Sequence, residues 1–141
     1  MFWDSSALVP ILVPEARSSR LTALFASDVE MTVWWLSSIE CRSALYRRHR
    51  EKPIAPATLR ASLRRLDAIM EDADSIVPTD SVRDIAHNLL SRHALLAADA
   101  LQLAAALTWC ESHPAKERFV CLDGTLRDAA VAQGFVVLPS E

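Results

Sequence analysis

No apolar run in the 141-residue sequence approaches the roughly 18 residues that a membrane-spanning helix requires. Low-complexity tracts, internal repeats and interdomain linkers are missing too, so residues 1–141 are expected to form one domain. The opening Met1-Phe2-Trp3-Asp4 lacks the basic stretch of a secretory signal and carries an acid at once, an expectation of a cytoplasmic protein with no membrane association. Cys41, Cys110 and Cys121 are odd in number and show no C-x-x-C spacing. Neither a disulfide framework nor a zinc site is indicated, and each cysteine reads as a small core residue. His49, His87, His93 and His113 show no H-x-x-x-H spacing, and no Ser-His or Cys-His pairing for nucleophilic catalysis is evident. A basic excess is also lacking: the net charge of −3 argues against a generally basic nucleic-acid binder, although charge can be segregated along the chain.

What the sequence does contain is an apolar helix with a single charge in it. From Ala94 to Trp109 good helix formers fill the run, apolar residues fall on almost every face, and Asp99 is the only ionisable group. Such a helix is expected at the centre of the protein. Ionised carboxylates are rarely buried unless paired or bound to a metal, because losing hydration is expensive. Asp99 therefore has two readings: an acid suited to the positive end of a helix dipole, or part of a site.

The remaining chain alternates short apolar strands with helices. Met1–Trp3 reads as a buried strand, followed by a short helix that Pro10 or Pro14 interrupts and a second helix from Glu15 to about Ala26. Met31–Leu36 reads as the next strand, with Trp34 and Trp35 on opposite faces and both expected in the core. Ser37 opens a helix to about Arg50, and Pro56 suits the first turn of another. Ser75–Pro78 is a brief strand, Thr79-Asp80 caps a helix, and the Asp99 helix follows. Phe119–Leu122 is a strand, Asp123-Gly124 begins a helix that Gly134 closes, and Phe135–Leu138 is the last strand. Alternating strands and helices, with strands that are continuous apolar runs, indicate an α/β domain: a central, mostly parallel sheet in a three-layer α/β/α arrangement.

In such a sheet ligands bind beyond the carboxyl ends of the strands, where strand order reverses. Asp4 ends the first strand, Asp123 ends the strand before the last, Glu40 opens the helix after the second strand, and Asp99 lies near the start of the central helix. Each has an ordinary explanation alone. Ser37-x-x-Glu40 is a capping box with Leu36 and Cys41 as a staple, Asp123 is a natural cap, and Asp4 suits a turn. Capping does not require all four on one edge, however, and crowded carboxylates repel unless a cation lies among them. An all-oxygen set favours Mg²⁺ or Mn²⁺, and hard metals held by acids suit phosphodiester hydrolysis.

Four segments also resemble, in order, the PIN-domain ribonucleases, in particular the VapC-type toxins of toxin–antitoxin pairs. They are Asp4-Ser5-Ser6-Ala7-Leu8-Val9, Leu36-Ser37-Ser38-Ile39-Glu40, Asp99-Ala100-Leu101-Gln102-Leu103-Ala104, and Leu122-Asp123 through Ala130 followed by Gly134. The resemblance implies a PIN-like domain in which Asp4, Glu40, Asp99 and Asp123 bind Mg²⁺ or Mn²⁺ and cut RNA by metal-activated water. It further implies a homodimer and a small antitoxin protein that covers the site. Ser5 and Ser6 would place hydroxyls beside the metal, and Thr125 stands where some relatives have a further acid. Leu96 and Gln102 depart from an arginine and a histidine found in many relatives.

Basic residues concentrate between Arg42 and Arg65, against Glu51 alone. Arg42, Arg47 and Arg48 are candidates to follow RNA phosphates toward the acids, or else a solvated face, while Arg64 is expected to pair with Asp67. Asp128 is expected at the surface. Two other classes are open: a PIN-like module that keeps the acids but serves to hold a partner protein, and an Mg²⁺-binding receiver-type signalling domain. The receiver lacks support here, because Asp4 is followed by serines and Lys116 precedes its strand.

Overall fold

The computed structural model describes residues 1–13 and 18–140. Strand β1 (Phe2–Trp3) leads into α1 (Ser5–Leu12), then α2 (Ser18–Ser27) and β2 (Thr32–Trp34). Helices α3 (Ser37–Glu51) and α4 (Pro56–Asp72) form a hairpin before β3 (Asp74–Ile76), and α5 (Asp80–Arg92) and α6 (Ala97–Trp109) follow. Strand β4 (Arg118–Val120), α7 (Gly124–Gln133) and β5 (Val136–Leu138) complete the chain. Pro10 lies inside α1, which continues past it to Leu12; Pro14 and the expected helix start at Glu15 lie outside the described residues.

All strand pairs are parallel, in the order β3-β2-β1-β4-β5. The chain winds outward from β1 on one side, then crosses to the other side for β4, so the order reverses between β1 and β4. This is not the flavodoxin-like order of receiver domains, in which the third strand lies on the far side of the first.

Period-two alternation distributes side chains to two cores. Phe2, Trp34 and Phe119 point to the face covered by α5, α6 and α7, where the Phe2 and Phe119 rings stack with centroids 5.6 Å apart. Trp3, Val33 and Val120 point to the face covered by α1 to α4. Helix α6 is the central helix expected: Ala100 and Leu103 to Ala106 are fully buried. It starts at Ala97 rather than Ala94, because Leu96 is extended at its N-cap and exposed.

Trp35 is not a core residue. It is 51% exposed in the turn after β2, whereas Trp34 is buried. The strand ends two residues earlier than its apolar run: the Trp35 N–H still donates to the Ile76 carbonyl (3.1 Å), but the chain turns there toward α3. No helix among the described residues is long and apolar enough to cross a membrane.

Leu103 has no exposure and packs at the middle of α6 against the sheet. Leu103→Ala is expected to destabilise the fold by about 2–5 kcal/mol, read from the midpoint of urea unfolding.

Candidate active site

Asp4 follows β1 directly and is the N-cap of α1. Its backbone N–H continues the ladder to the Val120 carbonyl (2.9 Å), which fixes it at the β1–β4 reversal. Its carboxylate is 3% exposed and accepts from the Ser6 N–H (2.9 Å), the Ser6 hydroxyl and the Cys121 thiol (3.5 Å). The Ser6 oxygen in turn accepts from the backbone N–H groups of Leu122 (2.9 Å) and Asp123 (3.3 Å). Burial pushes Asp4 up to about 6; the Ser6 hydrogen bonds oppose that rise, and the charge of Glu40 adds to it.

Glu40 does not complete the expected capping box. Leu36 is the N-cap of α3 with no side-chain capping bond, and Ser37 is the first helical residue, fully buried. Glu40 instead reaches away from its own helix: Oε2 accepts from the Ser5 hydroxyl of α1 (2.6 Å) and from Gln102 Nε2 of α6 (2.7 Å). Gln102 Nε2 also donates to the Ser37 hydroxyl (3.1 Å). Interaction across elements has replaced capping within one.

Asp99 is the third residue of α6 and is half-buried, so it is not the deeply buried charge that the apolar run suggested. Desolvation raises its pKa, and the charge of Asp123 adds to the rise. Asp123 is exposed and caps α7, with Oδ1 accepting from the Leu126 N–H (2.9 Å). An open cleft of about 610 Å³ has Ser5, Ser6, Glu40, Arg47, Asp99 and Leu122 among its walls.

The acids fall into two like-charge pairs near the carboxyl ends of β1 and β4, Asp4 with Glu40 and Asp99 with Asp123, and of the four Glu40 and Asp99 line the cleft. Among the described residues, no group of three or more His, Cys, Asp or Glu side chains is placed to hold a metal ion. The donor set is nevertheless all oxygen. A hard divalent cation fits that chemistry, and it would relieve the repulsion within each pair.

Ser5 and Ser6 each hold an acid, whereas Thr125 is exposed in the first turn of α7. Arg42 is committed to Asp67 across the α3–α4 hairpin, which replaces the expected Arg64–Asp67 pair. Arg47 lines the cleft, and Arg48 is half-buried on the same helix. Arg127 donates to the carbonyls of Cys121 (2.7 Å), Leu138 (3.2 Å) and Pro139 (2.9 Å), and so secures the ends of β4 and β5 behind the cleft. Sequence reasoning missed three contributors: the Gln102 amide, the Ser37 hydroxyl and the Cys121 thiol. Gln102 carried a signal, being the only polar residue besides Asp99 between Ala94 and Leu107 and three residues beyond it.

No protein-family model matches the sequence, and no curated protein matches it either. Solved structures do match. VapC20 of Mycobacterium tuberculosis, described as a sarcin–ricin loop cleaving toxin, is similar at 20% identity and a TM-score of 0.68, over 96% of this chain and 95% of that one. FitAcB from Neisseria gonorrhoeae is similar at 15% identity and a TM-score of 0.69, over 98% and 96% of the two chains. A toxin–antitoxin complex from Klebsiella pneumoniae is similar at 12% identity and a TM-score of 0.61, over 86% and 85%. The chain has the three-layer α/β/α PIN-like fold of these structures.

Because the folded state holds a proton on Asp4 more tightly than the unfolded chain does, stability falls as pH rises from about 4 to about 6. Asp4→Asn keeps an acceptor for the Ser6 N–H and removes the buried charge. It is expected to stabilise the protein in EDTA at about pH 7.5 by about 1–3 kcal/mol, and the gain should vanish below about pH 4. Thermal scans of both proteins across this range check it; a destabilised variant at the higher pH contradicts the burial argument.

Proposed function

We propose that the chain is an endoribonuclease dependent on Mg²⁺ or Mn²⁺, acting in the cytoplasm as the toxin of a toxin–antitoxin pair. The observation that carries this reading is a pair of neighbouring carboxylate pairs at the strand-order reversal, Asp4 with Glu40 and Asp99 with Asp123, with Glu40 and Asp99 lining one open cleft. Support also comes from the fold neighbours, one described as cleaving the sarcin–ricin loop and another as a toxin–antitoxin complex. The partners under this reading are RNA, a small antitoxin protein and a second copy of the chain.

Glu40 and Asp99 border the cleft and, with Asp4 and Asp123, would hold the cation. When bound, a divalent cation lowers the pKa of an attacking water and offsets charge on the phosphodiester. The chain's own residues prepare the site for this. Ser6 and Ser5 fix the Asp4 and Glu40 carboxylates by hydrogen bonds, which limits the side-chain freedom lost when a ligand arrives. Arg47 supplies a cation at the cleft wall, where it can take a phosphate oxygen and orient the backbone of a bound strand. Hydrolysis by water needs no covalent intermediate, and among the described residues no His or Cys lines the cleft beside its serines.

Purified protein is expected to cleave single-stranded RNA in Mg²⁺ or Mn²⁺ and to stop in excess EDTA. Asp99→Asn should fold normally by circular dichroism yet lose more activity than the roughly tenfold to hundredfold typical of residues that only support a ligand. Undiminished cleavage by that variant rejects the site, and a folded wild type that binds an antitoxin without cutting RNA favours the binding module. For Arg47→Glu the expectation is weaker RNA binding at low salt, with the slope of log affinity against log salt reduced by about one.

A further inference from the structure

We infer that Gln102 is a positioning residue that sets the Glu40 carboxylate for the reaction, an inference that rests on the nuclease reading above. Gln102 is 1% exposed, and its Nε2 donates to both Glu40 Oε2 (2.7 Å) and the Ser37 hydroxyl (3.1 Å). Its Oε1 is buried with no hydrogen-bond partner among the described residues.

That combination argues against a packing role. A buried acceptor without a partner destabilises a fold, whereas an apolar side chain of the same length would fill the space without that penalty. A glutamine is therefore the poorer choice for stability alone, and what it gains is the bond to Glu40. The amide's orientation follows from the same contact. Flipping it would turn Oε1 against the Glu40 carboxylate, acceptor against acceptor.

Placement makes the contact consequential. Gln102 lies three residues beyond Asp99, on the same side of α6, so it ties the segment carrying Asp99 to the α3 residue that lines the opposite part of the cleft. The Ser5 and Gln102 bonds both fall on Oε2, so the carboxylate is anchored through one oxygen, and Oε1 is the oxygen left for a ligand. Three elements, α1, α3 and α6, converge on a single oxygen atom.

The test is Gln102→Met, which keeps length and removes both the donor and the unpartnered acceptor, beside Gln102→His, which restores an N–H at similar reach. Gln102→Met is expected to melt no lower than a few degrees below wild type, to lose about tenfold to a hundredfold in kcat with KM for RNA little changed, and to bind Mn²⁺ alone more weakly. Gln102→His should recover most of the loss. A Gln102→Met enzyme with wild-type kcat overturns the inference, as does a histidine variant no better than the methionine one. The crystal structure of Gln102→Met gives a readout that does not depend on activity: the Glu40 carboxylate should leave its place beside the Ser5 hydroxyl, and a Glu40 carboxylate unmoved from it overturns the inference. If wild type cuts no RNA, the nuclease reading fails by itself, and that crystal structure still decides the role of Gln102.

Discussion

The Ser6 hydroxyl is the joint on which the acidic edge depends. It donates to Asp4 at the end of β1 and accepts from two backbone N–H groups just past the end of β4. One oxygen thus closes the gap at the point where strand order reverses, the place where a parallel sheet has no connecting helix to cover it. Without that bridge, the buried Asp4 carboxylate would face Glu40 with little to offset desolvation. Arg127 does comparable work from behind by binding three strand-end carbonyls, so the loop that presents Asp123 is held from both sides.

The fold was largely legible because its signals are local and mutually consistent. Apolar runs, Pro56 at a helix start, Thr79 and Asp123 at caps and Gly134 at a left-handed C-cap all describe the structure found. Parallel alternation then led to one edge, and the edge led to the acids. Boundaries were less legible. Trp35 belongs to a β-rich run, yet the strand stops before it, because strand length is decided by pairing with Ile76 and not by propensity.

The placement of the four acids at the carboxyl-end edge of the sheet was legible in the sequence, and their contacts were not. Ser37-x-x-Glu40 reads as a capping box, a motif that satisfies backbone groups within one helix, but Glu40 found better donors on two other helices. Asp67 likewise took Arg42 across a hairpin in place of Arg64 along its own helix. In both cases a short-range rule was overridden by a partner that only tertiary packing brings near. Sequence spacing encodes neighbours along a helix; it does not encode which helices lie side by side.

The chain order of the acids bears on when the edge comes into being. Asp4 and Asp123 are 119 residues apart in sequence, while β1 is the middle strand and pairs with both β2 and β4. During synthesis the emerging chain can pair β1 with β2 early, but the other flank of β1 remains open until β4 has left the ribosome. The acidic edge consequently cannot close before β4 arrives, and its closure pairs strands that lie far apart in sequence. An incomplete chain carries the first acid without its counterpart across the sheet. Chain connectivity alone thus delays the appearance of a finished cleft until β4 and the residues that follow it have been made.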